Sequence, residues 1–260
     1  MDHIIKSSIY KSSLYEIDGV FFYIDPTWKN IAISVSGGAD SALLTYLLCW
    51  LITHHNLKIN IHVISNIRMW KTRPWQRYDS LRIFEYIQSK YKNIEFTRHE
   101  NFIAPDIEYG AIGSSIKDSY GNFKSGDQIT VRSHAEYVCV NYKIDAWFSA
   151  LTMNPIDVTI SNGMPDRNIK FSNSQEDLKL LIDTENGIYV CHPFRFTSKD
   201  WVVKQYINFD ILDLFHKTRS CEGEFDHINY TNYVPGLMIP ECGRCFWCQE
   251  RSWAKNKNNV

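Results

Sequence analysis

A short β-rich run over residues 31–35 ends in Ser36-Gly37-Gly38-Ala39-Asp40-Ser41, and an apolar, helix-like stretch over residues 41–54 follows at once. Paired glycines let a backbone turn tightly and approach an anion closely, because they carry no Cβ. The helix behind them offers free N–H groups and the positive end of its dipole. Strand, glycine turn and helix in that order make a phosphate cradle. The chain contains neither G-x-x-x-x-G-K-[ST] nor G-x-G-x-x-G, which excludes a Walker loop and a dinucleotide fingerprint. An ordinary glycine-rich turn capped by Ser or Asp is the competing reading.

The elements around this loop alternate. Residues 58–65 read as a second buried strand, 74–91 as a helix with Pro74 near its first turn, and 93–98 as a third strand. That order predicts an α/β fold with a parallel sheet covered by helices. Residues 101–131 read as a long loop, 132–143 as a helix, 145–151 as a strand and 152–174 as a second polar loop. Residues 198–208 read as a helix capped by Ser198. Residues 14–24 form a hairpin turning at Asp18-Gly19 and covering the main sheet. The polar tail after Arg251 is expected to fray.

The 260 residues, 44% hydrophobic and 22% charged, suit one sizeable core with smaller attachments and exclude a wholly disordered chain. A net charge of -1 provides no global basic field, so no direct nucleic-acid partner is expected. The longest apolar run, residues 42–52, is too short to span a bilayer, and the N-terminus lacks a secretory apolar stretch. The expected location is the cytoplasm, with no membrane partner.

Of seven cysteines, Cys49, Cys139 and Cys191 are scattered, while Cys221, Cys242, Cys245 and Cys248 fall in the last 40 residues, three of them as C-x2-C-x2-C. In a reducing compartment this spacing suggests a metal before disulfides. Four thiolates satisfy a tetrahedral, closed and therefore structural Zn2+ site, whose binding free energy becomes folding free energy. An iron–sulfur cluster also takes four cysteines and is the rival. Four unligated buried cysteines are the third option.

The loop resembles the S-G-G-x-D-S loop of the N-type ATP pyrophosphatase, or PP-loop, superfamily. Together with Arg219-Ser220-Cys221 and Cys242-Gly243-Arg244-Cys245-Phe246-Trp247-Cys248-Gln249-Glu250-Arg251, the chain looks like a 7-cyano-7-deazaguanine synthase of the queuosine pathway. Weaker matches lie between: Gln76-Arg77, Val131-Arg132-Ser133, Gly163-Met164-Pro165-Asp166-Arg167 with Phe171, and His192-Pro193-Phe194 with Lys199. The chain departs from the family in the 20 residues between Cys221 and Cys242, in Tyr78 and Ser133 where the family has His and Asn, and in an N-terminal extension.

The resemblance implies an adenine nucleotide alpha hydrolase-like, Rossmann-type three-layer fold. Residues 1–28 would be an extension, 29–215 the ATP pyrophosphatase domain and 216–260 a zinc-binding element. Val35, Ser36, Gly37, Gly38 and Ser41 would hold ATP, with Asp40 near the loop or Mg2+. Arg132 and Lys199 would contact phosphate or carboxylate, and Asp166 would accept from a deazaguanine base edge or assist Mg2+. Cys221, Cys242, Cys245 and Cys248 would hold structural Zn2+.

The implied reaction is a ligation: 7-carboxy-7-deazaguanine and ammonia become the nitrile at the expense of ATP, in a homodimer. The alternatives are a tRNA-thiolation-type adenylating enzyme, or a diverged relative that binds or modifies a protein. Trp70, Trp75 and Trp147 are candidates to stack a base. His134 and His192 read as satisfied loop or core histidines.

Overall fold

Alternate residues along a strand face opposite sides of its sheet, and here that alternation divides two cores. The computed structural model describes residues 4–6, 13–68, 75–103, 126–157, 160, 181–183, 187–221 and 241–260. Within them the chain runs β1 (Ile4–Lys6), β2 (Leu14–Ile17), β3 (Val20–Tyr23), β4 (Asn30–Ser34), α1 (Ala39–His54), β5 (Asn60–Arg68), α2 (Gln76–Lys90) and β6 (Phe96–Ile103). It continues through α3 (Gly126–Asn141), β7 (Ala146–Phe148), β8 (Leu181–Asp183), β9 (Ile188–Cys191), α4 (Lys199–Asn208), α5 (Leu212–Lys217) and α6 (Phe246–Lys257).

The main sheet has the order β6-β5-β4-β7-β9-β8. Every pairing is parallel except that of β8, which runs antiparallel to β9 at one edge. Ile31 and Ile33 of β4, Ile61 and Val63 of β5, and Phe148 of β7 face a core shared with α1, α2, α4 and α5. Ala32, Ile64 and Trp147 face the other side, where Ala135, Val138 and Cys139 of α3 pack. The architecture is therefore helix, sheet, helix, as the alternating sequence pattern predicts. The apolar run around residues 42–52 becomes a helix buried on nearly all sides, because α1 lies between the sheet and other elements. No helix among the described residues is long and apolar enough to cross a membrane.

The N-terminal hairpin turns at Asp18 and Gly19, both with positive φ (47° and 80°), the geometry of a two-residue hairpin turn. It joins β1 in a separate three-stranded sheet, whose Tyr15, Ile17 and Phe22 enter the main core. The turn docks on α4: the Trp201 indole donates to Asp18 O at 3.0 Å, and the Gln205 amide to the Asp18 carboxylate at 2.7 Å.

Several boundaries differ from the sequence reading. The third strand spans 96–103 and α3 begins at 126, so both ends of the expected loop over 101–131 are regular structure, and its residues 104–125 lie outside the described ones. Strands β8 and β9 were not foreseen; each has only three or four residues. Ser198 takes the extended N-cap position of α4, but its hydroxyl bonds the Asp200 carboxylate instead of a backbone N–H. The tail does not fray. Residues 246–257 are helical, Ala254 is buried, and the Asn258 amide donates to Asp200 O at 3.0 Å.

His62 and His99, on neighbouring strands, stack within 5.2 Å and share a 3.0 Å nitrogen–nitrogen hydrogen bond, with the Tyr142 ring 4.5 Å from His99. Burial, together with the charges of His62 and His134, pushes the His99 pKa down to about 4. A free histidine titrates near ~6.5, so between these values the unfolded chain binds a proton that the fold rejects. Stability is therefore expected to fall as the pH drops from about 6.5 to 4. His99→Phe should flatten that slope in urea titrations across this range, and an unchanged slope would contradict the assignment.

Candidate active site and metal centre

The chain leaves β4 to build β5 and β6 on one side and later places β7 on the other. Connections diverging from the C-terminal ends of β4 and β7 open a crevice, the usual ligand position of an open parallel sheet. The glycine loop lies there. Gly37 has φ +89° and abuts α2, so that an added Cβ would lie 2.9 Å from Asp79 Cβ. Gly38 is the extended N-cap of α1 and has no side chain to occupy the helix's first N–H groups. Ser41 Oγ accepts from Ser36 N–H at 3.2 Å and donates to Gly38 O at 3.1 Å, which fixes the loop.

A cavity of about 400 Å³ opens in front of the loop. Its lining includes Ser36, Gly38, Asp40, Trp75, Lys199 and Arg219, and its size suits a small ligand. Lys199, the first residue of α4, is 2% exposed. Its ammonium pairs with the Asp40 carboxylate and lies 4.0 Å from Glu250, which is fully buried. A buried cation must be paired in this way. Asp40 Oδ1 and Ser220 Oγ are buried with no hydrogen-bond partner among the described residues. A polyphosphate fits here: the loop and Lys199 suit its oxygens, and Asp40 Oδ1 suits a hard cation such as Mg2+.

Cys221 and Trp247 line the same cavity. The Sγ atoms of Cys221, Cys242, Cys245 and Cys248 all lie within 4.8 Å of one another. Cys242 and Cys248 approach to 3.9 Å, and Cys245 and Cys221 to 4.0 Å. A tetrahedral ion with metal–sulfur bonds of about 2.3 Å separates its ligands by about 3.8 Å, so the four cysteines can hold one metal ion. Cys242 and Cys245 N–H groups point at Cys221 and Cys242 sulfurs, both at 3.3 Å, contacts that stabilise thiolate. Without a cation the crowding is unfavourable: the neighbouring Cys221 raises the Cys245 thiol pKa to about 11.

The structure brings Val35, Ser36, Gly37, Gly38, Asp40, Ser41 and Lys199 together, and places the four cysteines behind one cavity wall. Arg132 does not line the cavity. It is 58% exposed on α3 and pairs with Glu136 at 2.6 Å. Asp166 and Trp70 lie outside the described residues. Trp75 lines the cavity beneath Arg219, whereas the Trp147 indole donates to Ser34 Oγ at 2.8 Å in the opposite core. His134 and His192 are not fully satisfied, because each buries an Nδ1 with no partner among the described residues. Burial lowers both pKa values, and a neutral ring tolerates this. Sequence reasoning assigned no role to Arg219, Ser220 or Glu250, although all three lie within the cysteine-rich motif; only adjacency to Cys221 and Cys248 could have drawn attention to them.

No family model matches the chain, and no curated protein shows significant similarity to it. Solved structures that resemble it include three enzymes. The U34-tRNA thiolase NcsA from Methanococcus maripaludis, with its [4Fe-4S] cluster, is 14% identical with a TM-score of 0.44 over 89% of this chain; the chain spans 65% of the thiolase's length. NMN synthetase from Francisella tularensis is 13% identical with a TM-score of 0.43, over 89% of this chain and 86% of that one. NAD+ synthetase from Burkholderia pseudomallei is 10% identical with a TM-score of 0.37, over 90% and 83%. None of these likenesses decides the chemistry, which rests on the residues around the cavity.

Gly37→Ala combines left-handed strain with a backbone-proximal clash and should cost about 1–3 kcal/mol or more in denaturant unfolding. Gly38→Ala, whose new Cβ meets nothing closer than 3.5 Å, should cost clearly less; equal losses would contradict this geometry. Purified protein should carry one metal ion per chain by plasma mass spectrometry. Cys248→Ser should lower both that occupancy and the melting temperature.

Proposed function

We propose that the chain is an ATP-dependent adenylating ligase that converts 7-carboxy-7-deazaguanine and ammonia to 7-cyano-7-deazaguanine. Its main support is a convergence: the Ser36–Ser41 loop, the Lys199–Asp40 pair and the four-cysteine element meet at one cavity at the sheet's switch point. The phosphate loop argues for nucleotide chemistry. Its combination with the C-terminal cysteine motif argues for this substrate, by resemblance.

In this reading the loop N–H groups and Ser36 hold the pyrophosphate end of ATP, and Asp40 turns its Oδ1 to Mg2+. The substrate carboxylate attacks the α-phosphorus, the bond to the β-phosphate oxygen breaks, and pyrophosphate leaves. Lys199 neutralises charge on the transferring phosphoryl group, where a fixed cation is worth most. Ammonia then attacks the acyl carbon, AMP departs and a proton is lost, leaving the amide. The amide oxygen attacks the α-phosphorus of a second ATP, and pyrophosphate leaves. Loss of AMP and two amide protons then yields the nitrile. The cavity walls keep water from the adenylate.

Zinc, as a closed four-thiolate centre, would supply structure and no reaction step. The sulfur spacings support a single ion, since a cluster inserts its own irons and sulfides between the ligands and spreads them farther apart. In this reading residues 29–215 form the catalytic domain and 216–260 the metal element, in a cytoplasmic homodimer. Arg132 and Asp166 enter it only through resemblance.

The test is mass spectrometry of the product from purified protein with 7-carboxy-7-deazaguanine, ATP, Mg2+ and ammonium. The expected product is the nitrile, with two AMP and two pyrophosphate released per turnover. Lys199→Met should reduce turnover by about 100-fold or more. An absence of substrate-dependent AMP release from folded, metal-loaded protein would overturn the reading.

A further inference from the structure

The chain passes from the glycine loop to the metal centre within two residues. Arg219 N–H donates to Gly37 O at 2.8 Å, which fastens this strand of backbone to the loop. Ser220 Oγ lies 3.7 Å from where a Cβ on Gly38 would stand, and it is buried without a hydrogen-bond partner among the described residues. The next residue, Cys221, is 1% exposed and belongs to the four-sulfur group. Arg219, Ser220 and Cys221 all line the cavity that Ser36, Gly38 and Lys199 line from the other side.

Arg219 is held in place. Its guanidinium lies 4.2 Å from the centroid of the Trp75 ring, and its charge acts on Asp79, whose buried carboxyl has its pKa raised chiefly by desolvation. A guanidinium carries five N–H donors in a planar fork, and that fork matches phosphate oxygens. A buried hydroxyl beside it costs free energy until it finds an acceptor or donor. Both groups stand beside the glycines, so the ligand they suit is the pyrophosphate end of a nucleotide.

We infer that Arg219 and Ser220 form the second half of the anion cradle, opposite the glycine loop, as direct ligands of the β- and γ-phosphates. The four-cysteine element then does more than fix the C-terminus: it delivers half of the phosphate site. This inference rests on the nucleotide reading of the cavity and assigns two residues that reading did not use.

The test is calorimetric titration of metal-loaded protein with inorganic pyrophosphate and, separately, AMP, both with Mg2+. Ser220→Ala should weaken pyrophosphate binding about tenfold, and Arg219→Met by considerably more, since hydrogen bonds to charged groups are the strong ones. Both variants should keep their metal content and wild-type affinity for AMP. Should Arg219→Met fail to fold, Arg219→Lys keeps the charge beside Asp79 but loses the fork, and should still weaken pyrophosphate binding severalfold.

Pyrophosphate affinity within twofold of wild type for Ser220→Ala and the Arg219 variant would overturn the inference. So would equal losses for AMP and pyrophosphate, which would mark a merely structural role. If pyrophosphate binding survives in those variants but is lost in Gly37→Ala, the nucleotide reading stands and only this inference falls. A wild-type protein that binds neither pyrophosphate nor ATP would remove both.

Discussion

The buried ammonium of Lys199 sets the geometry of this molecule's centre. It opens α4, it is almost wholly removed from water, and its carboxylate neighbours come from two other elements: Asp40 from the first turn of α1 and Glu250 from α6. An unpaired charge in such a place is not tolerated, and breaking a buried pair typically costs about 3–5 kcal/mol. The phosphate-loop helix, α4 and the C-terminal helix must therefore meet at one point. The cavity is the space they leave there.

Other contacts tie these helices, and α5 with them, together. The Tyr206 hydroxyl donates to Ala39 O at 2.7 Å, joining α4 to the start of α1. Arg251 donates to Phe215 O at 3.0 Å and to Thr218 Oγ1 at 2.8 Å, with its guanidinium 4.0 Å from the Phe215 ring centroid. It thus satisfies a carbonyl near the C-terminal end of α5, where a cation suits the helix dipole. Burial lowers the Arg251 pKa, yet a guanidinium stays charged at any ordinary pH. The motif residues that follow Cys248 are thereby explained as anchors of α6, and they are why the polar tail is ordered.

Local patterns were legible in the sequence, and long-range ones mostly were not. The β4 strand, the tight turn at the glycines and the Asp18-Gly19 hairpin turn follow from backbone chemistry within a few residues. The early start of α3 was hidden because Gly126, Thr130 and Val131 are poor helix formers. The order of the tail after Arg251 was hidden because Trp253 and Ala254 are its only adjacent apolar pair, too little for an amphipathic stripe. Asp40 and Lys199 stand 159 residues apart and yet touch. No spacing rule could pair them, and Lys199 was reached only through resemblance to a family motif. Trp75 is one of three aromatics the sequence offers for stacking a base, and in the fold the Arg219 guanidinium lies against its face.

The position of the metal element follows from its size. The described part of this C-terminal segment adds little to the core beyond α6, and metal coordination by its four cysteines would replace that missing core. Packing would hold such a segment through many adjustable contacts. Coordination would instead hold it at four sulfurs and tolerate differences in the length of chain between them, so the 20 residues separating Cys221 from Cys242 are compatible with the close sulfur group. The backbone bond from Arg219 to Gly37 makes the Cys221 end of the segment continuous with the glycine loop. One wall of the cavity is thus set by the parallel sheet and the other by the sulfur group. The site's precision requires both, although neither wall contains the residues that specify the other.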